Sequence, residues 1–162
     1  MVAWSIRPFL ESDRARIREL TIEGFDGVSV EQRIDRLCLG AAPQGWGDRK
    51  AAEVLAETDR HPTGCFVAEA AGEVVGYLTT ELYPMGSQGR ILNLAVDSRL
   101  RGRGLGRALI QAALDDFRSR GVRVALIETL IDNPIGSRLY PLFGFQEIAR
   151  KIYFAMPIEE DE

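Results

Sequence analysis

The sequence predicts a single α+β domain in which helices flank a mixed, mostly antiparallel β-sheet. Two observations carry this prediction: helical apolar periodicity dominates residues 11–58, and a β-hairpin followed by a strand–turn–helix–strand unit occupies residues 65–129. A chain of 162 residues is long enough for one hydrophobic core, and no repeat or linker divides it. Residues 1–162 are therefore expected to form one domain.

The N-terminal third is predicted to hold one strand and three helices. The strand is expected at Trp4 to Pro8. The helices are expected at Glu11 to Phe25, at Ser29 to Leu39 and at about Trp46 to Thr58. Glycines and a proline interrupt the stretch 24–47, which carries no motif. Substrate selection is expected there, because loops on a rigid scaffold commonly carry specificity.

The middle of the chain is predicted to form the hairpin and a crossover unit. The hairpin strands are Cys65 to Ala70 and Val74 to Tyr83, joined by the turn A-G-E. The crossover consists of a strand at Ile91 to Val96, a helix at Leu105 to Arg120 and a strand at Val122 to Thr129. A strand, helix and strand of these lengths favour parallel pairing of the two strands.

The C-terminal part is predicted to hold a short helix and two closing strands. Asn133 and Pro134 open the helix, since proline suits the first helical position, and Gly144 ends it. The strands are expected at Phe145 to Ala149 and Ile152 to Pro157, followed by a solvated acidic tail at Glu159 to Glu162.

Composition excludes several classes of function. A net charge of −4 argues against nucleic acid as a partner, because such affinity comes largely from basic surface. No apolar run approaches the roughly 20 residues of a membrane span, and the N-terminus lacks the pattern of a signal peptide. Two cysteines without metal spacing fit a reduced cytoplasm. A catalytic triad or a metal site built on His61, the sole histidine, is not expected.

The strongest signal is the stretch Ile91 to Gly106, which reads I-L-N-L-A-V-D-S-R-L-R-G-R-G-L-G. An apolar strand leads into a turn rich in glycine and arginine, and a helix begins directly after it. Glycines allow close approach of the backbone to an anion, and the first N–H groups of a helix point at it. Arginines add charge-assisted contacts to phosphate oxygens. The stretch predicts a binding site for a small phosphate-bearing ligand.

Two other phosphate motifs do not fit this turn. The dinucleotide fingerprint needs G-x-G-x-x-G, and Arg107 stands where its third glycine belongs. A P-loop needs G-K-S or G-K-T after the turn, which is absent. An ordinary glycine-rich turn before a helix, without a ligand, is the alternative interpretation.

Three polar residues downstream could take part in acid–base chemistry. Glu128 ends an apolar row of strand residues, so partial desolvation is expected to raise its pKa towards that of a base working near neutral pH. Tyr140 can donate a proton to a leaving group, or it can be a plain core residue. Asn133 lies seven residues before Tyr140, on the same helical face, and is also a good helix N-cap.

These segments resemble the GNAT N-acetyltransferases. The family's acyl-CoA turn reads Arg or Gln, two residues, Gly, one residue, then Gly or Ala, matched here by Arg101, Gly104 and Gly106. The segment E-T-L-I-D-N-P-I-G-S-R-L-Y-P-L-F-G-F is similar to the second signature of the ribosomal-protein alanine N-acetyltransferases. The resemblance implies the GNAT fold, with residues 91–145 as the acyl-CoA-binding core and acetyl-CoA as cosubstrate without a metal.

The resemblance also implies roles for individual residues. Glu128 would be the general base and Tyr140 the general acid. The cofactor-binding residues would supply main-chain groups to the pantetheine, hold the pyrophosphate or contact CoA; they are Leu94, Ala95, Val96, Arg101, Gly102, Arg103, Gly104, Leu105, Gly106 and Asn133. Many family members instead carry a carboxylate on the preceding strand or use a water relay; Asn93 occupies that place here, and Glu81 is a reserve candidate.

The sequence thus predicts an acyl-CoA-dependent N-acyltransferase that moves an acetyl group to a primary amine by direct attack in a ternary complex. A covalent intermediate is disfavoured because neither cysteine falls in the predicted site. The alternatives are a non-catalytic acyl-CoA-binding module and a nucleotide-phosphate binder of another fold. The acceptor is a small amine or a peptide N-terminus, and a cytoplasmic monomer or homodimer is expected. A closing hairpin shorter than that of the alanine acetyltransferases argues against their protein substrate.

Overall fold

In the part of the chain that the structure describes, five strands form one mixed sheet. In their order across the sheet they are β1 Trp4–Pro8, β2 Phe66–Ala70, β3 Glu73–Leu82, β4 Gln88–Val96 and β5 Val124–Ile127. The computed structural model describes residues 3–38, 44–83, 85 and 87–158, with the Cys38 side chain excepted. The first three pairings are antiparallel and the last, between β4 and β5, is parallel. The predicted α+β architecture with a mostly antiparallel sheet is confirmed.

Helices cover both faces of this sheet. They are α1 Arg14–Phe25, α2 Val30–Cys38, α3 Trp46–Arg60, α4 Leu105–Ser119 and α5 Pro134–Leu139. Side chains of α1 and α3 pack with Val67 and Tyr77 on one face, whereas α4 packs with Ala68 and Leu78 on the other. Successive strand residues point to opposite faces, so one hairpin supplies both halves of the core.

The β4–α4–β5 crossover positions the candidate site. Parallel pairing runs from Gln88 opposite Val124 to Ile91 opposite Ile127 and then stops. Among the described residues, no strand pairs with the remaining part of β4, Leu92–Val96, on the β5 side; we call these residues the open edge of β4. Main-chain groups of an unpaired edge need hydrogen-bond partners from elsewhere, which makes this edge a natural site for an extended ligand.

A β-bulge lies at the start of the open edge. Thr79 of β3 pairs with Asn93 and Thr80 pairs with Ile91, so Leu92 is an extra residue in β4. Because of the extra residue, odd-numbered side chains point to opposite faces of the sheet before and after the bulge. Ile91 packs on the α4 side of the core, whereas Ala95 packs on the α1 and α3 side. The bulge thus turns Asn93 towards α3.

The prediction of two closing strands at 145–149 and 152–157 is wrong. The structure gives residues 144–158 neither helix nor strand. Phe145 packs against the core, but the large apolar side chains after it face solvent, with Ile148 exposed by 83% and Phe154 by 92%. A two-stranded hairpin has little stability unless one of its faces is buried. After Phe145 this segment buries neither face, so nothing fixes its pairing.

Several predicted boundaries also shift. The last strand of the crossover is shorter than predicted and ends at Ile127, one residue before Glu128. The C-terminal helix ends at Leu139, and a 3₁₀ turn, Tyr140–Phe143, continues to Gly144. The expected helix end at Leu39 and the acidic tail Glu159 to Glu162 lie outside the described residues.

Candidate active site

The glycine turn before α4 has the geometry that the sequence predicts. Gly102 and Gly104 have φ angles of +75° and +89°, a region that residues with a Cβ rarely adopt. A Cβ at either position would meet no atom of the described residues within 4 Å, so open space lies in front of the turn. Gly104 directly precedes α4, whose first N–H groups have no helical partner. The turn can therefore cradle an anion.

The glycine turn and the open edge of β4 meet at Gly106. A Cβ placed there would lie 3.7 Å from Leu139 and 4.0 Å from both Leu94 and Val96, which are ordinary contact distances. The end of α5, the first turn of α4 and the open edge are thus brought together at one point. Ala95 faces the other way, buried against α1, where Gly24 lets the helix come close.

All three arginines of the stretch are exposed, but one of them is held in an ion pair. Arg99 donates from Nη2 to Asp97 Oδ2 at 2.6 Å and from Nε to Oδ1 at 2.9 Å. Its guanidinium, with that of Arg16, lowers the pKa of Asp97 to about 2. Arg101 and Arg103 stay exposed beside the glycine turn. Of the three, they are the pair available to an anion.

Asn133 acts as the N-cap of α5, as its sequence context predicts. Its side-chain oxygen accepts a hydrogen bond from the Ile135 N–H at 3.1 Å. A cap of this kind satisfies one of the orphan donors of a helix. Pro134 follows at the first helical position. The predicted CoA contact of Asn133 stays a prediction.

Tyr140 is partly buried at the start of the 3₁₀ turn that follows α5. Its ring meets Phe145 edge-on, with centroids 6.3 Å apart, and it packs against the α4 side of the core. Burial raises the pKa of Tyr140 to about 12. Its hydroxyl is therefore fully protonated at neutral pH, which is the state that a general acid needs.

Glu128 does not have the environment that the sequence predicts. Its side chain is exposed, because β5 ends at Ile127 and Glu128 follows it. The expected desolvation by an apolar row is therefore wrong. The Lys151 ammonium has a raised pKa, chiefly through Tyr153 and to a smaller extent through Glu128. The role of Glu128 as a base stays a prediction.

The sequence interpretation missed Glu57, a carboxylate on the buried face of α3. Only 4% of this residue is exposed. The Thr79 hydroxyl and the Asn93 amide each donate a hydrogen bond to its Oε2 at 2.6 Å. Burial raises the pKa of Glu57, and these two hydrogen bonds oppose the rise. A local signal existed, since Glu57 follows Val54 by three residues on an otherwise apolar helix stripe.

Glu57 also lines a cavity beside the sheet, which we call the α3 cavity. Its volume is about 240 Å³, and its walls are formed by Glu57, Arg60, His61, Thr80, Glu81, Leu82 and Leu92. Leu92 is the bulge residue of β4, so the cavity reaches the strand where the open edge begins. In the described part of the chain, no cluster of three or more His, Cys, Asp or Glu could hold a metal ion.

Comparisons with known proteins agree with this geometry. The model of the acetyltransferase (GNAT) family matches residues 32–145. The chain is 27% identical to the mycothiol acetyltransferase of Rhodococcus jostii, over 92% of this chain and 54% of that protein. It is 34% identical to the ribosomal protein bS18 alanine N-acetyltransferase of Haemophilus ducreyi, over 41% of this chain and 47% of that protein. The chain thus spans about half the length of these curated relatives.

A solved structure shows the same fold. The PaiA N-acetyltransferase of Thermoplasma acidophilum, solved in complex with coenzyme A, superposes with a TM-score of 0.71 at 17% identity, covering 89% of this chain and 90% of that one. Together with the family match, this likeness confirms the fold and the family resemblance that the sequence predicts.

Proposed function

This chain belongs to the acetyltransferase (GNAT) family, and we propose that it transfers an acetyl group from acetyl-CoA to a primary amine. The observation that carries the proposal is the meeting of the glycine turn with the open edge of β4 at Gly106. One feature suits a pyrophosphate and the other an extended chain that bears amides. Acetyl-CoA contains these two parts in series, joined to the reactive thioester.

The residues around Gly106 fit this cosubstrate. N–H groups from Gly102 to Gly106, including that of Leu105, would bind the pyrophosphate, with Arg101 and Arg103 adding charge. Main-chain groups of Leu94, Ala95 and Val96 would pair with the pantetheine amides in the manner of an added strand. A structural neighbour solved with coenzyme A supports this proposal. Asn133, at the start of α5, would contact CoA from the other side.

The chemistry requires a base, an acid and direct attack by the amine. Tyr140 would protonate the leaving thiolate, and its pKa of about 12 keeps the proton available. The family resemblance assigns the base to Glu128, whose side chain is exposed to solvent. Direct attack is favoured over a cysteine intermediate because Cys65 is buried, and burial raises the pKa of its thiol to about 12, which disfavours the nucleophilic thiolate.

The setting of the reaction follows from composition. A net charge of −4 supports a small amine or a peptide N-terminus as acceptor rather than nucleic acid. The reduced Cys65 supports a cytoplasmic location. The chain would work there as a monomer or homodimer. None of the helices in the described stretches is long and apolar enough to cross a membrane.

The test is release of the CoA thiol from acetyl-CoA over a panel of small amines, amino acids, aminoglycosides and N-terminal peptides. We expect turnover with at least one class, and we expect Tyr140→Phe to lower kcat by about 100-fold while acetyl-CoA affinity stays unchanged. Tight acetyl-CoA binding without turnover would instead favour the non-catalytic binding module. Binding of ATP in place of CoA would refute the family assignment of the pocket.

A further inference from the structure

Glu57 is a buried carboxylate that the proposed mechanism does not use. It lies on α3 among the buried side chains of Ala51 and Val54. Desolvating a carboxylate in such a place costs free energy, which its two hydrogen bonds offset only in part. Glutamine at this position could accept both hydrogen bonds as well. The structure therefore keeps a group that can hold a negative charge or a proton where an amide would serve the fold.

The two hydrogen bonds of Glu57 leave one of its oxygens for the α3 cavity. Thr79 and Asn93 both donate to Oε2. Oε1 accepts no hydrogen bond from the described residues, and no fully buried side-chain oxygen among them lacks a partner, which leaves Oε1 accessible on the side of the cavity that Glu57 lines. A carboxylate held through one oxygen and presenting the other is oriented for proton transfer.

The α3 cavity reaches the point where acetyl-CoA would end. Its wall includes Leu92, and the preceding residue, Ile91, is the last residue of β4 that pairs with β5. The proposed pantetheine track along Leu94, Ala95 and Val96 runs along the same strand. A thioester at the Leu92 end of this track would therefore adjoin the cavity, and an amine in the cavity would approach its carbonyl from the α3 side.

We propose that Glu57 is the general base for the acceptor amine, and that the α3 cavity receives that amine. This inference rests on the proposed acetyltransferase function and replaces Glu128 as the base. The carboxylate of Glu57 takes a proton from the ammonium group, and the freed lone pair forms the N–C bond with the thioester carbon. The C–S bond then breaks and its electron pair leaves on sulfur.

The protons balance without a further reactant. Tyr140 protonates the departing sulfur. The attacking nitrogen then loses its second proton, which returns to Tyr140. The proton held by Glu57 leaves through the cavity to solvent. The sum is acetyl-CoA plus an ammonium group giving an amide, CoA thiol and one proton.

Other ionisable groups surround Glu57 on every side. They are Lys50, Glu53 and Arg60 on α3, His61 after it, Cys65 before β2, and Tyr77 and Glu81 on β3. Because so many groups can shape a pH profile, the decisive test varies the protonation of the acceptor instead.

The experiment compares two acceptors in wild type and Glu57→Gln. One is the best alkylammonium acceptor of the panel above, and the other is hydroxylamine, which is neutral at the assay pH and needs no prior deprotonation. We expect Glu57→Gln to lower kcat by about 100-fold or more with the alkylammonium and far less with hydroxylamine. Glu53→Gln, one helical turn away and 50% exposed, is the matched control and should keep the wild-type rate.

Each result bears on one proposal. An unchanged rate in Glu57→Gln, an equal loss with both acceptors, or a large loss in Glu128→Gln instead would overturn the role of Glu57. If wild type binds acetyl-CoA but turns over no acceptor, the proposed function itself fails. Thermal unfolding and acetyl-CoA binding check that each variant folds. If Glu57→Gln does not fold, Glu57→Asp replaces it and should slow only the alkylammonium reaction.

Discussion

Replacing Asp97 by asparagine should loosen the connection between β4 and the glycine turn. The side chain of Asp97 is only 1% exposed and pairs with Arg16 at 2.8 Å and Arg99 at 2.6 Å. Its pKa falls from the ordinary 3.8 to about 2, chiefly through the hydrogen bonds of Arg99. At about 1.4 kcal/mol per pH unit of pKa difference, these interactions stabilise the folded chain by about 2 kcal/mol.

The pH dependence of this stabilisation has a definite sign. Because the folded pKa is lowered, the stabilisation is complete well above pH 3.8 and is lost as the pH falls towards about 2. In urea unfolding at neutral pH, Asp97→Asn should therefore lower the free energy of unfolding by about 2 kcal/mol, and Tm by about 4–8 °C. The difference between wild type and variant should shrink between pH 4 and pH 2.

An exposed ion pair provides the control. Asp115 pairs with Arg118 on α4 and its side chain is 62% exposed. Its replacement by asparagine should cost less than about 0.5 kcal/mol. Equal losses for the two variants, or a loss in Asp97→Asn that does not change with acid, would refute the assignment of Asp97 as the electrostatic anchor of the turn.

Two further predictions concern the acetyl-CoA site. Gly104→Ala should destabilise the chain by about 1–2 kcal/mol and weaken acetyl-CoA binding, because the φ of Gly104 is +89°. Gly106→Ala is the control: the structure has room for its methyl group, so stability and acetyl-CoA affinity should change little. Thermal unfolding would measure the stability of each variant, and calorimetric titration its affinity for acetyl-CoA. Equal effects of the two substitutions would contradict the assigned backbone geometry of the glycine turn. Arg103→Ala should weaken acetyl-CoA binding about tenfold, less at high salt, as titrations at two ionic strengths would show; unchanged affinity would remove Arg103 from the phosphate site.

The parts of the molecule that local sequence encodes were predictable. The glycine turn is visible in the sequence because Gly102 and Gly104 adopt backbone angles that other residues rarely adopt. The start of α5 was equally readable, since Asn133 caps the helix and Pro134 fits its first position. The parallel β4–α4–β5 crossover followed from the lengths of its elements.

The surroundings of a side chain could not be predicted where residues distant in the sequence create them. The exposure of Glu128 depends on where β5 stops pairing with β4, which its own alternation does not encode. The partners of Glu57 lie 22 and 36 residues away, so its oriented carboxylate arises only when α3 meets the sheet. The closing segment alternates apolar residues as a strand does, yet alternation forms a strand only where a partner and a buried face exist.

One inserted residue links the two halves of the candidate site. In a regular strand without the bulge at Leu92, alternation would keep Ile91 and Asn93 on the same face of the sheet, next to α4. With it, Asn93 turns to α3 and meets Glu57, while Leu94 and Val96 return to the α4 side beside Gly106. The same strand can thus guide acetyl-CoA on one side and orient a carboxylate for the amine on the other. In the proposed mechanism the bulge has a functional reason, because in a regular strand Asn93 would face α4 and could not donate its hydrogen bond to Glu57.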